Sequence, residues 1–185
     1  MYGMINKAIK ELIIKQHGES CWEEIRSLAG LDEGDLIGMN TYPDEMTYQL
    51  VGTASKKLGL PISEILKDLG EFWVTYVAED YGYLLDATGN DFVEFVQNLN
   101  NLHSRVQSLM PELIPPRITC TDVNENSLRI HYFSFRVGLT DMVIGLLLGL
   151  AKRFEQPIEI QLVNSKEKGY DHDEFLVTLI KNDSK

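Results

Sequence analysis

Two groups of residues in this 185-residue chain combine side-chain type with a spacing that could carry chemistry. The first is a stripe. Phe92, Val96, Leu99, His103, Val106 and Met110 follow one another in steps of four, three, four, three and four, the rhythm of one helix face. All but the histidine are apolar, so the imidazole of His103 points where its neighbours point, into a core. Such a histidine is either a core residue hydrogen-bonded to a backbone carbonyl, the commoner case, or a single axial ligand to a cofactor iron in an apolar pocket. Spacing leaves both open.

The second group is Tyr132-x-Ser134-x-Arg136. Side chains alternate along a strand, so these three share one face and Phe133 and Phe135 share the other. A guanidinium with five donors beside two hydroxyls suits a carboxylate ligand, which it can meet with a bidentate, charge-assisted pair. The plain alternative is an amphipathic strand with its polar face in water. Among the other histidines, His17 beside Gly18 at a helix end and His172 in an acidic loop read as surface residues. His131 falls on the strand face opposite Tyr132.

These residues need elements to position them. Residues 1–110 read as helical. Ile5, Ile9, Leu12 and Ile13 lie at helical spacing before Gly18, and Ser20 with Glu23 forms a capping box for a short helix over Trp22, Ile25 and Leu28. Pro43, Asp44 and Glu45 open a third helix carrying Met46, Leu50 and Val51. Ser63 caps a fourth over 64–69, which Gly70 either ends or kinks into 71–79. Residues 81–89 read as a loop and 91–110 as the longest helix. After Pro115 and Pro116 the pattern changes to strands over 117–121 and 127–136, a helix over 139–154, and a hairpin over 158–163 and 175–180. The fold class is therefore α+β: a helical N-terminal lobe and a C-terminal lobe with a four-stranded antiparallel sheet and a packed helix. No linker separates independent domains, so residues 1–185 read as one.

Composition narrows the function. With 17 Lys+Arg against 28 Asp+Glu the formal charge is −11 and no basic stripe occurs, which argues against a nucleic-acid backbone or an anionic membrane as partner. Two distant cysteines, Cys21 and Cys120, make neither a disulfide framework nor a cysteine zinc site, exclude a C-x-x-C-H haem attachment, and read as buried thiols. The first ten residues lack an apolar signal core, and the longest apolar run, 142–150, is short of a bilayer span. The expectation is a cytoplasmic protein.

A histidine on a long helix, a Pro-Pro turn, and then Tyr-x-Ser-x-Arg resembles the H-NOX family, the haem nitric oxide/oxygen-binding domains of bacterial gas sensors and of soluble guanylate cyclase. The resemblance runs from Met1-Tyr2-Gly3-Met4-Ile5 to the final hairpin. It implies b-type haem between the lobes, with residues 1–60 as the distal helical part and 61–185 as the proximal part. It implies His103 as iron ligand, Tyr132, Ser134 and Arg136 as a clamp on the haem propionates, and Pro116 and Ile5 pressing on the macrocycle. Oxygen-binding members of the family use a distal tyrosine supported by a tryptophan and an asparagine. Here the tryptophan position reads Ile9, the asparagine position Trp73, and the tyrosine position falls near Asp141 or Met142. Bound O₂ carries negative charge that needs a donor, whereas NO and CO need far less. A wall of Trp73, Met142 and Leu146 therefore implies a five-coordinate ferrous haem that selects NO and CO.

The resemblance further implies a switch in which NO weakens the Fe–His103 bond and frees the helix behind it. The output would lie in a separate partner, a histidine kinase or a diguanylate cyclase/phosphodiesterase. Two other readings stand beside this sensor. An enzyme would pair His103 with Glu94 or Asp141, but no P-loop, nucleophile elbow, GxGxxG or H-x-x-x-H pattern accompanies them. A carrier would use the same clamp for another carboxylate-bearing apolar ligand.

Overall fold

The computed structural model of the protein describes residues 1–181, the side chains at positions 33 and 35 excepted. Helices α1 (Gly3–His17), α2 (Glu19–Leu28) and α3 (Asp44–Leu58) build the N-terminal lobe. Helix α4 (Ile62–Asp86) leads out of it, followed by α5 (Phe92–Gln97) and α6 (Leu99–Leu109). Strands β1 (Arg117–Thr121) and β2 (Ser127–Phe133), helix α7 (Thr140–Arg153), and strands β3 (Ile158–Asn164) and β4 (Asp173–Leu179) complete the chain. The four strands form one antiparallel sheet in the order β1-β2-β4-β3.

Two hydrophobic clusters follow from the apolar faces of these elements. The first collects Ile9, Leu12 and Ile13 of α1, Trp22 and Ile25 of α2, and Leu50 and Val51 of α3 around Ile65, Leu66 and Leu69 of α4. The second joins Phe92, Phe95 and Val96 of α5 to the inner face of the sheet and to Val143, Leu147 and Leu150 of α7. Helix α4 serves both, because its second half contributes Val74 and Leu85 to the second cluster. It can do so because it meets α7 backbone to backbone. A Cβ at Gly70 would stand 2.1 Å from the Met142 carbonyl oxygen, and one at Gly145 would stand 2.0 Å from that of Lys67.

That contact explains why Gly70 neither ends nor kinks the helix: α4 runs on to Asp86, with a local break at Tyr81 (φ −125°, ψ 20°), through much of the expected loop 81–89. The longest helix is thus α4. The stripe expected over 91–110 is instead two helices divided at Asn98, whose side chain donates to the Thr88 carbonyl at 3.0 Å. Phe92, Val96 and Met110 are buried as expected, but across the break Leu102 is buried while Leu99, His103 and Val106 are half-buried. The capping box at Ser20 does not form. Gly18 caps α2, and Glu23 instead binds Arg26, one turn on. Both cysteines are half-buried, and burial pushes the Cys120 thiol up to about 11. No helix among the described residues is long and apolar enough to cross a membrane.

Gly70→Ala tests the helix crossing. Because the new methyl meets rigid backbone, a loss at the upper end of overpacking, about 3 kcal/mol, is expected. That corresponds to a fall of about 6–12 °C in Tm for a chain of this size, measured by circular dichroism; an unchanged Tm would show that the helices part freely.

Candidate functional site

His103 sits one turn into α6, and α6 is fastened to the sheet by a side chain. Asn100 Nδ2 donates to the Ile118 carbonyl at 2.5 Å, and the Ile118 N–H donates back to Asn100 Oδ1 at 3.0 Å. The imidazole is half-buried, and its Nδ1 is shielded from solvent with no hydrogen-bond partner. An unmade bond of that kind costs about 1–3 kcal/mol, while the ring itself hydrogen-bonds the Pro116 backbone. Burial lowers the pKa of His103, and the hydrogen bond with the Pro116 backbone opposes the shift in part. The ring is therefore neutral at pH 7, the form that can ligate a metal.

Tyr132, Ser134 and Arg136 come together by a route different from strand alternation. Strand β2 ends at Phe133, and Ser134 Oγ accepts from the Arg136 N–H at 3.1 Å, so a tight turn folds the arginine back. The Tyr132 hydroxyl is hydrogen-bonded to Ser134. Burial raises its pKa, which the Ser134 bond and the Arg136 charge only partly oppose, and the phenol stays protonated. Arg136 already grips a carboxylate: Nε lies 2.7 Å from Asp44 Oδ2 and Nη2 lies 3.3 Å from Oδ1. Its Nη1 donates to the Ile114 carbonyl at 3.3 Å. Lys166 Nζ donates to the Ser134 carbonyl at 2.6 Å, and a cavity of about 10 Å³ opens among Tyr132, Ser134, Arg136, Lys166 and Asp173.

The third group lies on the helices. Ile5 of α1, Trp73 of α4 and Met142 of α7 pack on the first cluster, and Leu146 on the second. Ile9 is fully buried. Tyr76, one turn beyond Trp73, has its ring centroid 6.0 Å from the indole. Burial and the charges of Glu11, Asp80 and Glu79 raise its pKa, so it too is protonated.

Sequence reasoning missed Asp44 and Lys166 at the clamp, along with Tyr48, whose hydroxyl donates to the Val137 carbonyl at 3.2 Å. Asp44 carried only a first-turn signal, and nothing local announces a partner 92 residues away. His172 is not the free surface residue expected, being half-buried and bonded to His131 and Asp171.

Set against known proteins, residues 2–162 match the family model described as Haem-NO-binding. The chain belongs to the haem-NO-binding family. Members of this H-NOX family are haem-binding gas sensors. A crystal structure of an H-NOX protein from S. oneidensis in the Fe(II)NO ligation state superposes with a TM-score of 0.90 at 25% identity, covering 98% of this chain and 100% of that one. The Fe(II) unliganded H-NOX protein from K. algicida shares the fold, with a TM-score of 0.87 at 23% identity and full coverage of both chains. Soluble guanylate cyclase gcy-33 of Caenorhabditis elegans is 30% identical over 91% of this chain, which spans only 18% of that relative's length.

The junction at Asp44 makes a pH-dependent contribution to stability. Burial raises the pKa of its carboxyl, but hydrogen bonds from Arg136 and the Met1 amine, with their charges, outweigh that and leave it below its ordinary value. A carboxyl with a depressed folded pKa stabilises the fold above its unfolded value of about 3.9, and the contribution is lost as pH falls through the folded value. Asp44→Asn should therefore lower the urea midpoint at pH 7 by the equivalent of about 1 kcal/mol. The gap between wild type and variant should close as pH falls below the ordinary carboxyl value of about 3.9; a gap independent of pH would remove the ion pair as its cause.

Proposed function

We propose that this protein is a nitric oxide sensor built around b-type haem, with His103 as the protein's iron ligand. The observation that supports this most is the buried, unpartnered Nδ1 on a neutral imidazole. The ring is held by a hydrogen bond with the Pro116 backbone, and Nδ1 is left shielded and unmatched beside it. The clamp supports it too, since Arg136 is already disposed to receive a carboxylate in two-point fashion.

Haem, when bound, supplies the iron at which a diatomic gas is held. The chain's own residues do the rest. His103 would give its lone pair to the metal. Tyr132, Ser134 and Arg136 would bind the propionates, with Asp44 as the carboxylate that now occupies the guanidinium. Pro116, whose backbone lies beside His103, and Ile5 would bear on the ring and bend it. Trp73, Met142 and Leu146 would line the gas side with largely apolar surface, favouring NO and CO, which bind without a strong donor, over O₂. Movement of His103 would reach the sheet through the Asn100–Ile118 pair one turn away. In this reading the domain is a binding module without catalysis, and its output is a separate histidine kinase or diguanylate cyclase/phosphodiesterase.

An anaerobic absorption spectrum tests the cofactor and its selectivity. Dithionite-reduced protein should show five-coordinate high-spin ferrous haem, with a Soret band that moves on adding NO or CO and shows no stable oxygenated form in air. A stable oxygenated spectrum would overturn the selectivity argument, and failure to take up haem would overturn the reading. His103→Gly with added imidazole should restore haem binding yet leave a partner's response to NO lost; an unchanged response would take His103 out of the signal. Asn100→Ala should keep the Soret band and shrink that response, whereas full retention would show that the signal leaves by another path.

A further inference from the structure

On the sheet face away from the Tyr132 side chain lies a second set of ligand-type residues that the haem reading does not use. His131 of β2 stands opposite Glu174 of β4 in the antiparallel register, so both project to the same face. His172, just before β4, reaches the same point. Its Nε2 is 2.9 Å from His131 Nδ1, and the three ligand atoms all lie within 4.8 Å of one another.

We propose that His131, His172 and Glu174 form a zinc site distinct from the haem, with a fourth position open to water. Two imidazoles and a carboxylate are a zinc ligand set, and tetrahedral bonds of about 2.0–2.2 Å place neighbouring ligand atoms about 3.3 Å apart. The two ring nitrogens already stand close to that spacing. Each ring is also held from behind. Asp171 Oδ1 lies 2.6 Å from His172 Nδ1, and Phe133 stacks on the same ring with centroids 4.2 Å apart. Thr121 Oγ1 lies 2.8 Å from His131 Nε2. A carboxylate behind one ligating imidazole and a hydroxyl behind the other are the outer partners that fix ring orientation at metal sites.

Proton placement permits the exchange. With His172 donating from Nδ1 to Asp171, its Nε2 is an acceptor, and without metal His131 donates to it from Nδ1. On binding zinc, His131 moves its proton to Nε2 and donates to Thr121, whose hydroxyl can either give or accept a hydrogen bond. No net proton is released. Glu174 is held by Arg129 and by Asn164 on different oxygens, and a carboxylate with about four lone-pair sites keeps one for a metal. Those bonds outweigh the effect of burial and keep it ionised.

The test uses the whole haem-loaded chain, stripped of loosely held metal with a chelator and dialysed against zinc chloride. Mass spectrometry should find one zinc per chain beyond the haem iron, and cobalt(II) in its place should give the intense visible bands of tetrahedral coordination. His131→Gln and His172→Gln should each abolish stoichiometric zinc while leaving the far-ultraviolet circular dichroism and the Soret band unchanged. Asp171→Asn should weaken zinc by about 10–100-fold, as expected of a positioning residue, and His17→Ala should leave it unaltered. Wild-type protein that retains no zinc, or His131→Gln that binds zinc as wild type does, would overturn the proposal. Thr121, His131, His172 and Asp171 would then be a hydrogen-bonded relay and nothing more.

Discussion

The architecture depends on one close approach, the crossing of α4 and α7. Gly70, Gly145 and Gly149 remove the side chains that would hold the two backbones apart, and the neighbouring carbonyls of Met142, Lys67 and Glu71 fill the space a Cβ would need. Because the helices touch this closely, α4 can feed two hydrophobic clusters at once, one through Leu66 and Leu69 and the other through Val74 and Leu85. Two lobes that would otherwise be separate cores share a wall. The same approach sets Trp73 and Met142, both packed on the first cluster, on adjoining helices.

A second tie between the lobes is electrostatic. Asp44 at the start of α3 meets Arg136 in the turn after β2, with the amine of Met1 on the same carboxylate at 2.6 Å. Arg136 is mostly buried and stacks on Phe135 at 4.4 Å, so its guanidinium is oriented before any ligand arrives. A carboxylate that displaced Asp44 would replace one negative charge with another. The electrostatic cost of rearranging the site is smaller than that of uncovering a bare arginine.

Much of this was legible in the residues. The strand pattern after Pro116, the apolar helix over 139–154 and the closing hairpin needed only alternation and helical period, and they coincide with β1, β2, α7, β3 and β4 to within a few residues. His103 stood out for the same reason: a polar ring in an apolar rhythm. What escaped was non-local. Gly70 signals a helix end unless the Met142 carbonyl is known to sit against it, and Asn98 signals no break until Thr88 is there to bond it. Tyr132, Ser134 and Arg136 do come together, but a serine turn and not strand alternation gathers them. The contacts of Asp44 with Arg136 and of His131 with His172 span long stretches of chain and leave no periodic trace.

The Asn100 contact has a consequence for the sheet itself. β1 is an outer strand, and the outward N–H and carbonyl of an outer strand are a ready template for pairing with another polypeptide. At Ile118 both groups are taken by the amide of Asn100, which imitates a neighbouring strand for the length of one residue. The edge is thus closed by a helix side chain, on the helix that bears His103. Protection of this protein against edge-to-edge aggregation, and the resting place of its half-buried imidazole, are maintained by the same two hydrogen bonds.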